Sequence, residues 1–247
     1  MEFSNVIVLA SLIVFLFTSF GALLSLIFNK VSENTIDFSL AFSSGIMLVA
    51  SFTSLIIPSL ELGNIFLTNF GIIMGFLFVY LLEKLVPHIE KLNIPLHVEE
   101  NKFKAIFLIV GAIIIHNLPE GLAVGVSLGN DMIKGLITAL AIGIQDIPEG
   151  LAVSLPLIYI TEKKFIPILI GIISGLSEAI FVILGALFFS LYNLLLPIGL
   201  SLAGGAMLYV VIKEIFPQIY RNKNEKFITF FFLLGLLIML SLDNIKI

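Results

Sequence analysis

The chain has 247 residues, 59% of them hydrophobic and only 12% charged, with a net charge of −4 and a mean hydropathy of +1.16. A soluble domain carries about twice that share of charge, so the composition is that of a polytopic membrane protein. The absence of cysteine excludes disulfides, thiolate metal sites and dithiol redox chemistry together, and the lack of any basic patch or arm excludes a nucleic-acid partner.

A helix needs about 20 apolar residues to cross the hydrocarbon core. Eight runs meet that length, at about 3–28, 36–60, 64–86, 103–129, 132–159, 165–191, 193–217 and 226–243. The first run is too long for a signal-peptide core and follows Glu2, not a basic segment, so it reads as a span. Strands are not expected, since the runs are long and do not alternate apolar with polar residues. The whole chain, 1–247, therefore reads as a single all-α transmembrane domain in contact with the lipid bilayer.

The positive charges divide unevenly among the loops. Lys30, Lys84, Lys91, Lys102, Lys104, Lys163, Lys164, Lys213, Arg221, Lys223 and Lys226 lie in or beside the odd-numbered loops, 11 of the 13 in the chain. Lysine-rich loops stay cytoplasmic. The expectation is a multi-pass protein of the cell membrane with both termini outside and the 87–102 loop, which holds His88 and His97, inside.

Two runs carry nearly the same motif, 29 residues apart: His116-Asn117-Leu118-Pro119-Glu120-Gly121 and Gln145-Asp146-Ile147-Pro148-Glu149-Gly150. Residues four apart share a helix face, so His116 aligns with Glu120 and Gln145 with Glu149, while Asn117 and Asp146 stay near the glutamates at i,i+3. Pro119 and Pro148 lack an N–H, so each is expected to kink its helix and free the carbonyl of Ile115 or Ile144. A further acid, Glu178, sits inside the sixth run. An isolated glutamate at that depth costs on the order of 3 kcal/mol, so it should face the other ligand types. Ionisable groups inside a bilayer mark ion or substrate paths. Without a cation, four clustered acids cannot all stay ionised, and metal binding is expected to release protons.

Runs 2 and 7 share a second pattern: Gly45-Ile46-Met47 leads to Pro58, and Gly205-Ala206-Met207 leads to Pro217. Their odd separation makes them antiparallel. The expected arrangement is 3+2+3, with two inverted triplets around a central pair, a transporter pattern.

On the doubled motif, Glu178 and the two Gly-x-Met segments, the chain resembles the ZIP (Zrt/Irt-like) divalent metal transporters, the GufA-like branch in particular. The resemblance implies a binuclear site. His116, Glu120, Gln145 and Glu149 would form one position, and Asn117, Glu120, Asp146, Glu149 and Glu178 the other, with both glutamates bridging. It implies that Met47 and Met207 line the outer path, that Glu83, His88 and Glu214 lie near the cytoplasmic exit, and that spans 1, 4, 5 and 6 move against the rest. It also implies a homodimer. Lys213 stands where relatives often have a glutamate or histidine, and Ala179 where many have a proline.

The function expected is uptake of a divalent cation into the cytoplasm, zinc first, with iron(II), manganese and cadmium also suited to one imidazole among carboxylates and amides. The alternative on the residues alone is an intramembrane metal-dependent hydrolase. The chain lacks His-Glu-x-x-His, and its repeated, oxygen-rich ligand set suits transient holding, so no enzyme is expected. A metal sensor would need a signalling domain, for which the loops are too short.

Overall fold

Each apolar run becomes one helix. The computed structural model describes residues 2–27, 32–85, 99–161, 164–220 and 224–244, and among these the chain is all helical, with no strand. Helix α1 is Phe3–Leu24. Helix α2 runs Glu33–Ala50, continues through a π-helical stretch Ser51–Ile56 and resumes as Ile57–Leu62. Then follow α3 (Ile65–Leu85), α4 (Glu99–Asn130), α5 (Met132–Thr161) and α6 (Phe165–Leu191). A 3₁₀ turn, Asn193–Leu195, leads into α7, which runs Leu196–Val210, passes through a second π-helical stretch Val211–Ile215 and ends as Phe216–Ile219. Helix α8 is Glu225–Asp243.

Short polar residues set several boundaries. Ser32 Oγ accepts from the Thr35 amide and starts α2. Asp131 Oδ1 accepts from the amides of Ile133 and Lys134, at 2.8 and 2.9 Å, so one residue suffices to turn α4 into α5. Such caps satisfy amides that the first helical turn leaves without partners. The first helix ends at Leu24, short of the expected 28, where Ser25 Oγ turns back onto the Ala22 carbonyl.

The two π-helical stretches answer the pattern shared by runs 2 and 7. Each begins four residues after its methionine, Met47 or Met207, and each ends just before a proline, Pro58 or Pro217. Proline removes a donor and crowds the carbonyl of the preceding turn. A π stretch widens the helix there and accommodates both effects. Helix α4 stays helical through Pro119, and α5 through Pro148.

Packing sorts the helices into two sets of four. Helices α1, α4, α5 and α6 form one, through the pairs α4–α6, α1–α5 and α1–α6. Helices α2, α3, α7 and α8 form the other, through α3–α7 and α2–α8. The sets meet chiefly where α4 lies on α7 and α2 on α5. Backbone approach within each set depends on glycine. A Cβ on Gly121 would lie 2.5 Å from the Glu178 carbonyl oxygen, and one on Gly150 2.5 Å from that of Thr18. In the second set, a Cβ on Gly45 would strike the Phe232 carbonyl and one on Gly205 that of Ile72. Helices without a hydrophobic drive to associate in lipid gain from such close contact.

Among the described residues, six helices are long and apolar enough to cross a membrane: α1, α2, α3, α6, α7 and α8. Helices α4 and α5 carry the doubled motif. Within the six, α2 and α7 are mostly buried, while α3 and α8 turn Phe66, Phe70, Leu77, Phe227, Phe230 and Leu237 outward. An apolar surface of that extent belongs in hydrocarbon.

Candidate metal centre

The i,i+4 spacing on α4 and α5 aims both motifs at one place, and the close approach of α4 to α6 at Gly121 brings Glu178 beside them. His116, Asn117, Glu120, Asp146, Glu149 and Glu178 line a single cavity of about 240 Å³. Glu120, Asp146, Glu149, Glu178 and Asn117 are buried. The seventh residue expected, Gln145, does not line the cavity. It is fully buried and reaches the site through Glu120, donating from Nε2 to Glu120 Oε1 at 2.7 Å.

Among the described residues, two groups each bring candidate ligand atoms within 4.8 Å of one another: His116, Glu120 and Glu149, and Glu120, Asp146 and Glu178. Both glutamates were expected to bridge. Glu120 is common to both groups, while Glu149 belongs to the first.

The hydrogen bonds decide which atoms remain for a cation. His116 Nδ1 is 3.1 Å from Glu214 Oε2. A carboxylate only accepts, so Nδ1 carries the proton, and Nε2, 3.6 Å from Glu149 Oε2, is the ring nitrogen that faces the site. A carboxylate behind an imidazole is the usual support for a metal-binding histidine. Asn117 Nδ2 donates to the Ser174 carbonyl at 2.9 Å and to Ser174 Oγ at 2.7 Å, leaving Oδ1 to the cavity. Glu178 Oε2 is 3.0 Å from Thr18 Oγ1.

Among the described residues, the two motifs and Glu178 hold four buried oxygens with no donor: Gln145 Oε1, Asp146 Oδ2, Glu149 Oε1 and Glu178 Oε1. Buried polar atoms are nearly always paired, and an unpaired buried charge is strongly destabilising. The carboxylates of Asp146, Glu149 and Glu178 line one cavity, where they need a cation or protons between them, and with one imidazole nitrogen they make a borderline-to-hard divalent donor set.

Other expected residues fall elsewhere. Met47 and Met207 are fully buried in the apolar core and do not line the cavity. Glu83 accepts from the Tyr209 hydroxyl. Glu214 lines the cavity and joins His116 across the boundary between the two sets. His88 and His97 lie outside the described residues.

Sequence reasoning missed Thr18 and Ser174, because a hydroxyl inside an apolar helix reads as packing. A signal for Ser174 does exist. Ser174 and Glu178 are spaced as His116 and Glu120 are, and the positions 116, 145 and 174 are each 29 apart, as are 120, 149 and 178. The sixth run thus carries a third, weaker copy of the motif, with Ser174 in the place of His116 and Gln145.

Residues 96–243 match the family described as ZIP Zinc transporter. Zinc transporter ZIPB of Bordetella bronchiseptica is 35% identical over 244 residues, covering 92% of this chain and 77% of that protein. Zinc transporter GufA of Myxococcus xanthus is also 35% identical over 244 residues, covering 95% and 96%. Zinc transporter ZIP11 of Homo sapiens is 28% identical over 317 residues, covering 92% and 93%. A doubled ligand motif folded around one buried cavity, in an apolar all-helical chain with relatives of this similarity along nearly its whole length, places the protein in the ZIP family.

Proposed function

We propose that the chain carries divalent cations, zinc first, across the cell membrane into the cytoplasm through two adjoining positions between α4, α5 and α6. His116, Glu120, Gln145 and Glu149 serve one position. Asn117, Glu120, Asp146 and Glu178 serve the other, with Glu120 common to both. The observation that carries this reading is the set of donorless buried carboxylate oxygens of Asp146, Glu149 and Glu178 in the cavity that His116 also lines. The oxygen-rich set also admits iron(II), manganese and cadmium.

Helices α4 and α5 complete an eight-span, 3+2+3 arrangement in which the matched π stretches of α2 and α7 are the inverted counterparts. The lysine partition puts both termini outside. Leu40, Glu214, Ile215 and Gln218, which line the cavity, stand toward the ends of α2 and α7 that join lysine- and arginine-bearing loops, consistent with a site open to the cytoplasm. The division into two glycine-locked sets supports movement of α1, α4, α5 and α6 as one body against the other four helices. A homodimer is the expected assembly.

Zinc uptake by sealed proteoliposomes is the test. The wild type accumulates zinc, and Glu120→Ala combined with Glu149→Ala removes accumulation while the protein remains inserted. Undiminished uptake by the double variant would refute the site.

A further inference from the structure

We infer that Ser174 is a positioning residue for cation binding, acting through Asn117. Both residues are buried, at 5% and 6% exposure. Asn117 Nδ2 donates to two oxygens of Ser174, the main-chain oxygen at 2.9 Å and the hydroxyl at 2.7 Å. The two acceptors act differently. The carbonyl oxygen can only accept, so it fixes which end of the amide points at α6: a flipped amide would set Oδ1 against it, acceptor to acceptor. The hydroxyl is a second acceptor beside it, which narrows the rotation of the amide plane. Together they leave Oδ1 directed to the cavity that Glu120, Asp146 and Glu178 share. An amide is a weak cation ligand, and its contribution depends on its oxygen being held in place before the ion arrives.

The register of Ser174 fits this role. In the three copies of the motif, the leading residue touches a polar side chain of another copy: His116 meets Glu149, Gln145 meets Glu120, and Ser174 meets Asn117. A serine suffices in the third copy because its helix already approaches α4 closely at Gly121 and Gly125.

The proposal rests on Asn117 being a ligand, and a double-mutant cycle on the full chain in proteoliposomes separates the two claims. Zinc uptake is measured for the wild type, Ser174→Ala, Asn117→Ala and the double variant. The expected result is that Ser174→Ala raises the half-saturating zinc concentration about three- to tenfold, the worth of one hydrogen bond, with little change in maximal rate. Asn117→Ala raises it further, and the double variant equals Asn117→Ala. Ser174→Thr restores the wild-type value. Ser174→Cys keeps the volume with a poorer acceptor and gives the same direction of shift if the alanine variant is unstable. An equal fold-change from Ser174→Ala in the Asn117→Ala background would overturn the proposal, because Ser174 would then act on packing alone. No shift from Ser174→Ala, with Asn117→Ala still impaired, would also overturn it while leaving the ligand role of Asn117 intact. No effect of Asn117→Ala would remove that role and the proposal with it.

Discussion

Gln145 Nε2 donates to Glu120 Oε1 at 2.7 Å, joining the first motif to the second inside the protein. The carboxylate can only accept, so the amide has one orientation, and Gln145 Oε1 is left buried without a donor. Glu120 is also common to both ligand groups. The bond therefore steadies the one carboxylate common to both proposed positions.

Replacing Gln145 by leucine keeps the approximate volume and removes both the donor and the amide oxygen. The half-saturating zinc concentration should rise on the order of tenfold or more, since a hydrogen bond to a charged group is worth about 1.5–3 kcal/mol. Uptake titrations in proteoliposomes check this. An unchanged value would mean that the Glu120 carboxylate needs no support.

The two glutamates of the repeated motif should not be equivalent. Glu120→Gln weakens both positions and should abolish stoichiometric zinc binding, whereas Glu149→Gln should leave the Glu120, Asp146 and Glu178 group able to hold an ion. Calorimetric stoichiometry on purified protein distinguishes them. Identical loss in the two variants would argue for a site in which both bridge.

A methyl group at Gly150 would lie 2.5 Å from the Thr18 carbonyl oxygen. Gly150→Ala must push α1 away from α5, and overpacking of this kind costs about 1–3 kcal/mol. The melting temperature in detergent should fall. The displaced helix also carries Thr18, which contacts Glu178, so zinc affinity should fall with it.

Three carboxylates share the second group, all buried. Below the pH at which the cluster is fully ionised, protons neutralise it and a divalent cation must displace them. Zinc added to weakly buffered protein should therefore acidify the solution. Apparent zinc affinity should strengthen as pH rises across about pH 5–8, since fewer protons compete. Binding without proton release, and flat with pH, would contradict this account.

The residues of the chain alone determined much of this picture. Length and apolarity give eight helices, because a backbone in hydrocarbon must satisfy its own hydrogen bonds. The i,i+4 spacing gives the shared faces of His116 with Glu120 and Gln145 with Glu149, because helical periodicity is local. The expense of burying Glu178 gives its direction, since a carboxylate in lipid has to find partners. Contacts between helices lie beyond that reach. Met47 and Met207 are held in the core, Glu214 meets His116 across the boundary between the sets, and Glu120 rather than Glu149 belongs to both groups. Thr18 and Ser174 gain their roles only once α1 and α6 close on the motif helices at Gly150 and Gly121. Spacing along one helix sets which way a side chain points, but what it meets there is set by how closely the backbones of distant segments pack.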